Sequence, residues 1–142
     1  MASGSDDKAV VIWEKRENVR SVHSPERIIR WSKKIPLLGH SADVLDLAWT
    51  KNSKYVISAG MDGRIFIWLL EKKYYLKVLD LHEKFVQGLA IDPTFEHIFS
   101  CSNDRTTRVW RSVKSKKSEA GFFCKRVLKR YDYNKNEEDG EI

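Results

Sequence analysis

Apolar residues fall in short runs along this chain, and the runs alternate with polar turn-forming residues at close intervals. Val44–Trp49 (VLDLAW) alternates apolar and polar positions before turning apolar, and Tyr55–Ala59, Ile65–Trp68 and Lys77–Leu81 are short and apolar or β-branched. Phe85–Ile91, His97–Cys101 and Thr107–Trp110 repeat the pattern, and Phe122–Leu128 reads as one more strand. Lys51-Asn52, Asp62-Gly63, Asp92-Pro93 and Asn103-Asp104 separate them as turns. A period of two with such short spacing predicts an all-β chain without helices.

Beneath this pattern lies a repeat. SGSDDKAVVIW (3–13), SAGMDGRIFIW (58–68) and SCSNDRTTRVW (100–110) each begin with Ser, carry Asp at the fifth position and end with Trp at the eleventh. His40 precedes Trp68 by 28 residues, and His82 precedes Trp110 by the same distance. The two later blocks are 42 residues apart, within the roughly 40–45 residues of a four-stranded propeller blade. The first lies 55 residues before the second, one period plus an insertion within Glu14–Lys34.

These residues carry a resemblance. GHSADVLDLAWTKNSKYVISAGMDGRIFIW is similar to a complete WD repeat, HEKFVQGLAIDPTFEHIFSCSNDRTTRVW to a second that lacks the Gly before His82, and ASGSDDKAVVIW to the latter half of a third. The resemblance implies about two and a half blades of a larger β-propeller. Residues 1–13 would be the latter half of a blade, 14–34 a charged insertion and 35–68 a blade. Residues 69–128 would be a blade with its outer strand and a basic extension, and 129–142 (beginning KRYDYN) an acidic disordered tail. A propeller closes with typically 4–8 blades, so a chain of this length is expected to be a fragment that exposes sheet edges and self-associates.

Ser, His and Asp together suggest a hydrolytic triad. A catalytic set is needed once, however, whereas this one recurs at fixed spacing. The WD resemblance implies instead a structural hydrogen-bond network: His40, Ser58, Asp62 and Trp68 in one blade, His82, Ser100, Asp104 and Trp110 in the next. The chain has no phosphate-cradling glycine loop, HExxH or GxSxG. His23 and His97 stand alone and read as surface or packing residues. Cys101 and Cys124 lack metal-ligand or disulfide-framework spacing, which fits a reducing compartment. No catalytic residue, metal or cofactor is expected.

The 142 residues carry a net charge of +6 and five tryptophans. The charge is concentrated in two places. Glu14–Lys34 holds seven basic residues against three acidic ones, and Arg111–Arg130 holds eight against one. Arg20, Arg27, Arg30, Lys114, Lys116 and Lys117 are the candidate partner-binding residues of these segments. Contact with nucleic-acid phosphates is one reading of them, and a solvated surface is the other. Phe122 and Phe123 read as strand core. No apolar run approaches the roughly 20 residues of a membrane span, and MASGSDDK does not read as a signal peptide.

SADVLDLAW after Gly39-His40, HEKFVQGLAIDP in the next unit, and a charged insertion ahead of Trp31 together resemble the HIRA-type histone regulators and the WD-repeat subunit of chromatin assembly factor. Asp43, Val44, Asp46 and Trp49 match the first of these motifs. The Val86-Gln87-Gly88 form leans towards the assembly-factor subunit, and the Val109-Trp110-Arg111 ending towards HIRA. The resemblance implies a nuclear, non-enzymatic scaffold in a histone chaperone that deposits the core-histone pair of the nucleosome's central tetramer. A generic adaptor in another complex and a basic nucleic-acid-binding module are the alternatives. A chain of +6 does not itself complement basic histones, so a histone contact would need an acidic patch, the acidic tail or a bridging subunit.

Overall fold

The computed structural model describes residues 1–17, 29–113 and 121–129, which form eleven strands in three antiparallel sheets. In chain order these are β1 (Ala2–Gly4), β2 (Ala9–Glu17), β3 (Ile29–Leu38), β4 (Val44–Trp49), β5 (Tyr55–Gly60), β6 (Ile65–Leu69), β7 (Tyr74–Leu79), β8 (Val86–Ile91), β9 (His97–Ser102), β10 (Thr106–Val113) and β11 (Gly121–Lys129). Each sheet is a meander of sequential neighbours: β1-β2-β3, β4-β5-β6-β7 and β8-β9-β10-β11. The all-β class follows directly from the period-two patterning.

The three repeated turns share one backbone solution. Lys8, Gly63 and Arg105 all adopt left-handed conformations, with φ of 67°, 75° and 65°. Each follows the block aspartate, whose carboxylate accepts the N–H two residues on: Ala9 from Asp7 at 3.0 Å, Arg64 from Asp62 at 3.1 Å and Thr106 from Asp104 at 2.8 Å. This aspartate-capped turn offsets the cost of a left-handed side-chain residue at Lys8 and Arg105.

The sheets stack face to face. Val10, Ile12 and Leu37 of the first pack on Val44, Val56, Phe66 and Trp68 of the second. The opposite face of the second, Ile57, Ala59, Ile65, Ile67 and Leu79, packs on Val86, Ile98, Trp110 and Phe122 of the third. Neighbouring residues of one strand therefore serve different interfaces, as the pleat requires. The middle sheet is covered on both sides, and all five residues of β6 are buried. The third sheet is covered on one. Phe99 and Cys101 stand 42 residues after Ile57 and Ala59, yet Ile57 is 0% exposed and Phe99 39%.

Several boundaries differ from expectation. The sheets run 44–79 and 86–129, out of phase with blades drawn at 35–68 and 69–128. Ile29–Leu38 pairs with β2, and Tyr74–Leu79 pairs with β6. The repeat is punctuated by its histidine and tryptophan, so it begins with the outer strand of the preceding sheet. The strand expected at Lys77–Leu81 starts at Tyr74, immediately after a turn whose last residue, Lys73, has φ of 60°. The charged insertion is partly sheet, because β2 continues to Glu17 and β3 starts at Ile29. Lys129 ends β11 and does not belong to the tail. Phe122 is core but Phe123 is exposed, since alternation sends the two rings to opposite faces.

Ile67→Ala is expected to cost about 2–5 kcal/mol by leaving a cavity between two sheets. Phe99→Ala, its ring on the uncovered face, should cost less than about 1 kcal/mol. Urea unfolding of both variants checks the stacking order, and equal losses would contradict it.

Candidate functional site

The repeated residues converge into two nearly identical hydrogen-bond chains. The indole N–H of Trp68 donates to Ser58 Oγ at 2.8 Å. Ser58 Oγ lies 2.8 Å from His40 Nε2, and His40 Nδ1 lies 2.9 Å from Asp62 Oδ2. In the next sheet Trp110 donates to Ser100 Oγ at 2.9 Å, Ser100 Oγ lies 2.8 Å from His82 Nε2, and His82 Nδ1 lies 2.7 Å from Asp104 Oδ2. The chemistry sets the direction. An ionised aspartate only accepts, so Nδ1 carries the proton and donates, and neutral Nε2 then accepts from the serine hydroxyl. Each chain thus runs Trp N–H to Ser, Ser O–H to His and His N–H to Asp. In the first sheet Trp13 donates to Ser3 Oγ at 2.8 Å, the same tryptophan–serine step.

The aspartates end the chains and also anchor backbone. Asp62 Oδ2 accepts the Ser41 N–H at 3.0 Å, and Asp104 Oδ2 the Glu83 N–H at 3.2 Å. Asp104 Oδ1 takes the Thr106 hydroxyl at 2.6 Å besides its N–H. Burial works to raise both carboxyl pKa values, but the hydrogen bonds outweigh it and hold both below the ordinary carboxylate range, Asp104 far below. Burial lowers the pKa of His82, more than the bond to Asp104 raises it, and the nearby Arg108 guanidinium lowers it further.

This geometry has the connectivity of a charge-relay triad but not its access. Ser58 is 0% exposed and Ser100 1%. Neither hydroxyl can meet a substrate, and each already holds an indole N–H where a reacting carbonyl would have to come. The eight residues form two structural pins that tie each incoming loop to the turn and the third strand of its sheet. Among the described residues no group of His, Cys, Asp or Glu is arranged to hold a metal ion. Cys101 and Cys124 are free thiols.

The partner-binding candidates fare differently. Arg30 lies on β3, exposed, directly opposite Arg16 on β2. Arg20, Arg27, Lys114, Lys116 and Lys117 lie outside the described residues, as do His23 and residues 130–142. His97 is not isolated, because its Nδ1 lies 3.0 Å from Asp92 Oδ2 in the turn before β9.

Two residues escaped the reading of the sequence. Asp46, at a bulge in β4, accepts the Leu89 N–H of the next sheet at 2.7 Å and its neighbour Leu47 N–H at 2.8 Å. Its motif match was visible, but its reach across sheets was not. Arg108 stands 42 residues after Phe66, whose ring packs 4.4 Å from that of His40. Superposing the repeats would have flagged this exchange of an aromatic for a cation.

Comparison with known proteins places the fold. The family described as the CAF1B/HIR1 beta-propeller domain matches residues 1–139. The chain belongs to that family. Relatives of both kinds within it are similar. Protein hir1 of Schizosaccharomyces pombe is 36% identical over 116 residues, covering 78% of this chain and 12% of that protein. Protein HIR1 of Mycosarcoma maydis is 34% identical over 116 residues, covering 79% of this chain and 11% of that protein. The chromatin assembly factor 1 subunit FAS2 homolog of Oryza sativa is 31% identical over 142 residues, covering 97% of this chain and 27% of that protein. The chain therefore spans between about a tenth and a quarter of the length of these family members. The propeller reading and the resemblance to HIRA-type and assembly-factor proteins agree with this membership.

Two outcomes follow from the pins. His40→Ala strands a buried serine and a buried aspartate and should cost about 1–3 kcal/mol. An unchanged melting temperature would contradict the network. Stability should also fall in acid. The folded-state pKa of His82 lies below its ordinary 6.5, so the unfolded chain binds the proton more readily. That contribution is intact above 6.5 and declines as pH falls through it. A further decline begins below about 3.8, where Asp62 and Asp104 are protonated more readily in the unfolded chain. Thermal melts from neutral to acid pH check this, and a melting temperature that rises on acidification would reverse the sign.

Proposed function

We propose that the chain is a non-enzymatic scaffold within a nuclear histone-chaperone complex that acts in nucleosome assembly and chromatin regulation, whether coupled to replication or independent of it. The observation that carries the reading is membership of the CAF1B/HIR1 propeller family across residues 1–139, with a relative named as a subunit of chromatin assembly factor 1. The architecture supports it. Stacked sheets are pinned by buried hydrogen bonds, and the reactive-looking residues are consumed by that task. In this reading the core histones of the nucleosome's central tetramer are reached directly or through sibling subunits. The basic charge of the chain favours the second route, because like charges across an interface are costly.

Affinity capture with the full chain from nuclease-treated nuclear extract, at moderate salt and followed by mass spectrometry, tests the proposal. Recovery of core histones together with chromatin-assembly subunits is the expected outcome. Recovery of a different stable complex without histones would replace it with the reading of a general adaptor.

A further inference from the structure

Arg108 is the one place where the two complete repeats exchange a buried aromatic ring for a cation. Phe66 fills the corresponding position with its ring stacked on Trp68 and tilted on His40. Arg108 lies on the same face of β10 as Trp110, so its guanidinium enters the space beside the His82–Asp104 pin. Its Nε is buried and makes no hydrogen bond among the described residues. A buried N–H without an acceptor is costly. Nε itself is out of a ligand's reach, and the remainder of the partly exposed side chain is the part a ligand can meet.

The acceptors already present do not serve. Asp104 stands beside Arg108, but its two oxygens take His82 and the Glu83 N–H on one side and the Thr106 hydroxyl and N–H on the other. A carboxylate offers about four lone-pair sites, so this one is saturated. Glu83 is exposed and has no ion pair among the described residues. Arg108, partly exposed, instead lines a cavity of about 570 Å³ with Glu83, Asp104, Arg105, Thr106, Val127 and Lys129. Arg105 is carried to its rim by the left-handed turn, and Lys129 by the end of β11 opposite Thr106.

We propose that this cavity binds one carboxylate side chain of an acidic peptide segment on a partner, with Arg108 as the donor that fixes its orientation. The charge balance selects the ligand. Three cations against two carboxylates leave a single positive charge in the cavity. One carboxylate neutralises it, and the planar guanidinium fork matches a carboxylate in two parallel hydrogen bonds. A phosphate-rich strand is the poorer fit, because Glu83 and Asp104 repel a row of negative charges and no line of cations is offered to follow a backbone. The inference does not rest on the chromatin-assembly reading, since any complex with an acidic subunit segment satisfies it.

The test is fluorescence anisotropy of a labelled short oligoglutamate peptide titrated with the full chain. Arg108→Phe installs the residue of the sister repeat and should preserve folding, as its melt would show, while weakening peptide binding by about tenfold or more. Arg108→Lys keeps the charge without the fork and should bind with intermediate affinity. Lys51→Ala, in a remote turn, should change nothing. Binding by Arg108→Phe equal to that of the wild type overturns the site. An oligonucleotide that binds more tightly than the peptide, and in an Arg108-dependent way, overturns the carboxylate assignment. Peptide binding that emerges only after Glu137, Glu138, Asp139 and Glu141 are neutralised overturns a partner segment as the occupant.

Discussion

The indole N–H of a tryptophan buried between two sheets must find an acceptor, and the structure hangs on how that demand is met. Trp68 and Trp110 pack their rings into the interfaces and donate to serines on the adjacent strands. A serine hydroxyl that accepts in this way must still place its own proton, and the histidine receives it. The histidine in turn needs a carboxylate to hold its tautomer, and the aspartate that supplies it also closes the turn between the second and third strands of the sheet. One buried donor thus fixes four residues, a turn and the loop arriving from the preceding sheet. Sheet stacking provides most of the apolar burial, but it is non-directional. The hydrogen-bond chains fix where each sheet meets the segment that leads into it.

This dependence explains what was legible before any coordinates. A network that recurs writes itself into the sequence at fixed spacing, so the eight pin residues stood out at the 42-residue period, and the WD resemblance implied how they bond to one another. The strand at Val44–Trp49 was bounded correctly because its alternation begins and ends at turn residues. Strand β7 was displaced by several residues because Tyr74 and Tyr75 are exposed on an outer strand, where no burial pattern marks the start. The phase of the sheets was hidden for a related reason. The marks of the repeat sit at the pin, while a sheet is bounded by hydrogen-bonded edges that carry no residue signature.

Interactions between sheets were the least legible. Asp46 contacts Leu89, 43 residues away, through a backbone N–H, and a backbone partner has no residue type to betray it. The position 42 residues after Asp46 is Gly88, which has no side chain with which to repeat the contact. The third sheet also has no following sheet among the described residues, so this cross-sheet bond is made once there.

Such departures separate scaffold from site. Where repeats agree, the residue serves the common geometry, as Ser58 and Ser100 do in the same bond to the same ring. Where they disagree at a buried position, the fold has no need of the change, and a cation in place of Phe66 works against it. An uncompensated buried guanidinium donor costs stability that an aromatic ring would contribute. A position that carries this cost beside an open cavity is one at which recognition outweighs packing. The reactive-looking histidines and serines belong to the architecture, and the chemistry available to a partner lies where the repetition fails.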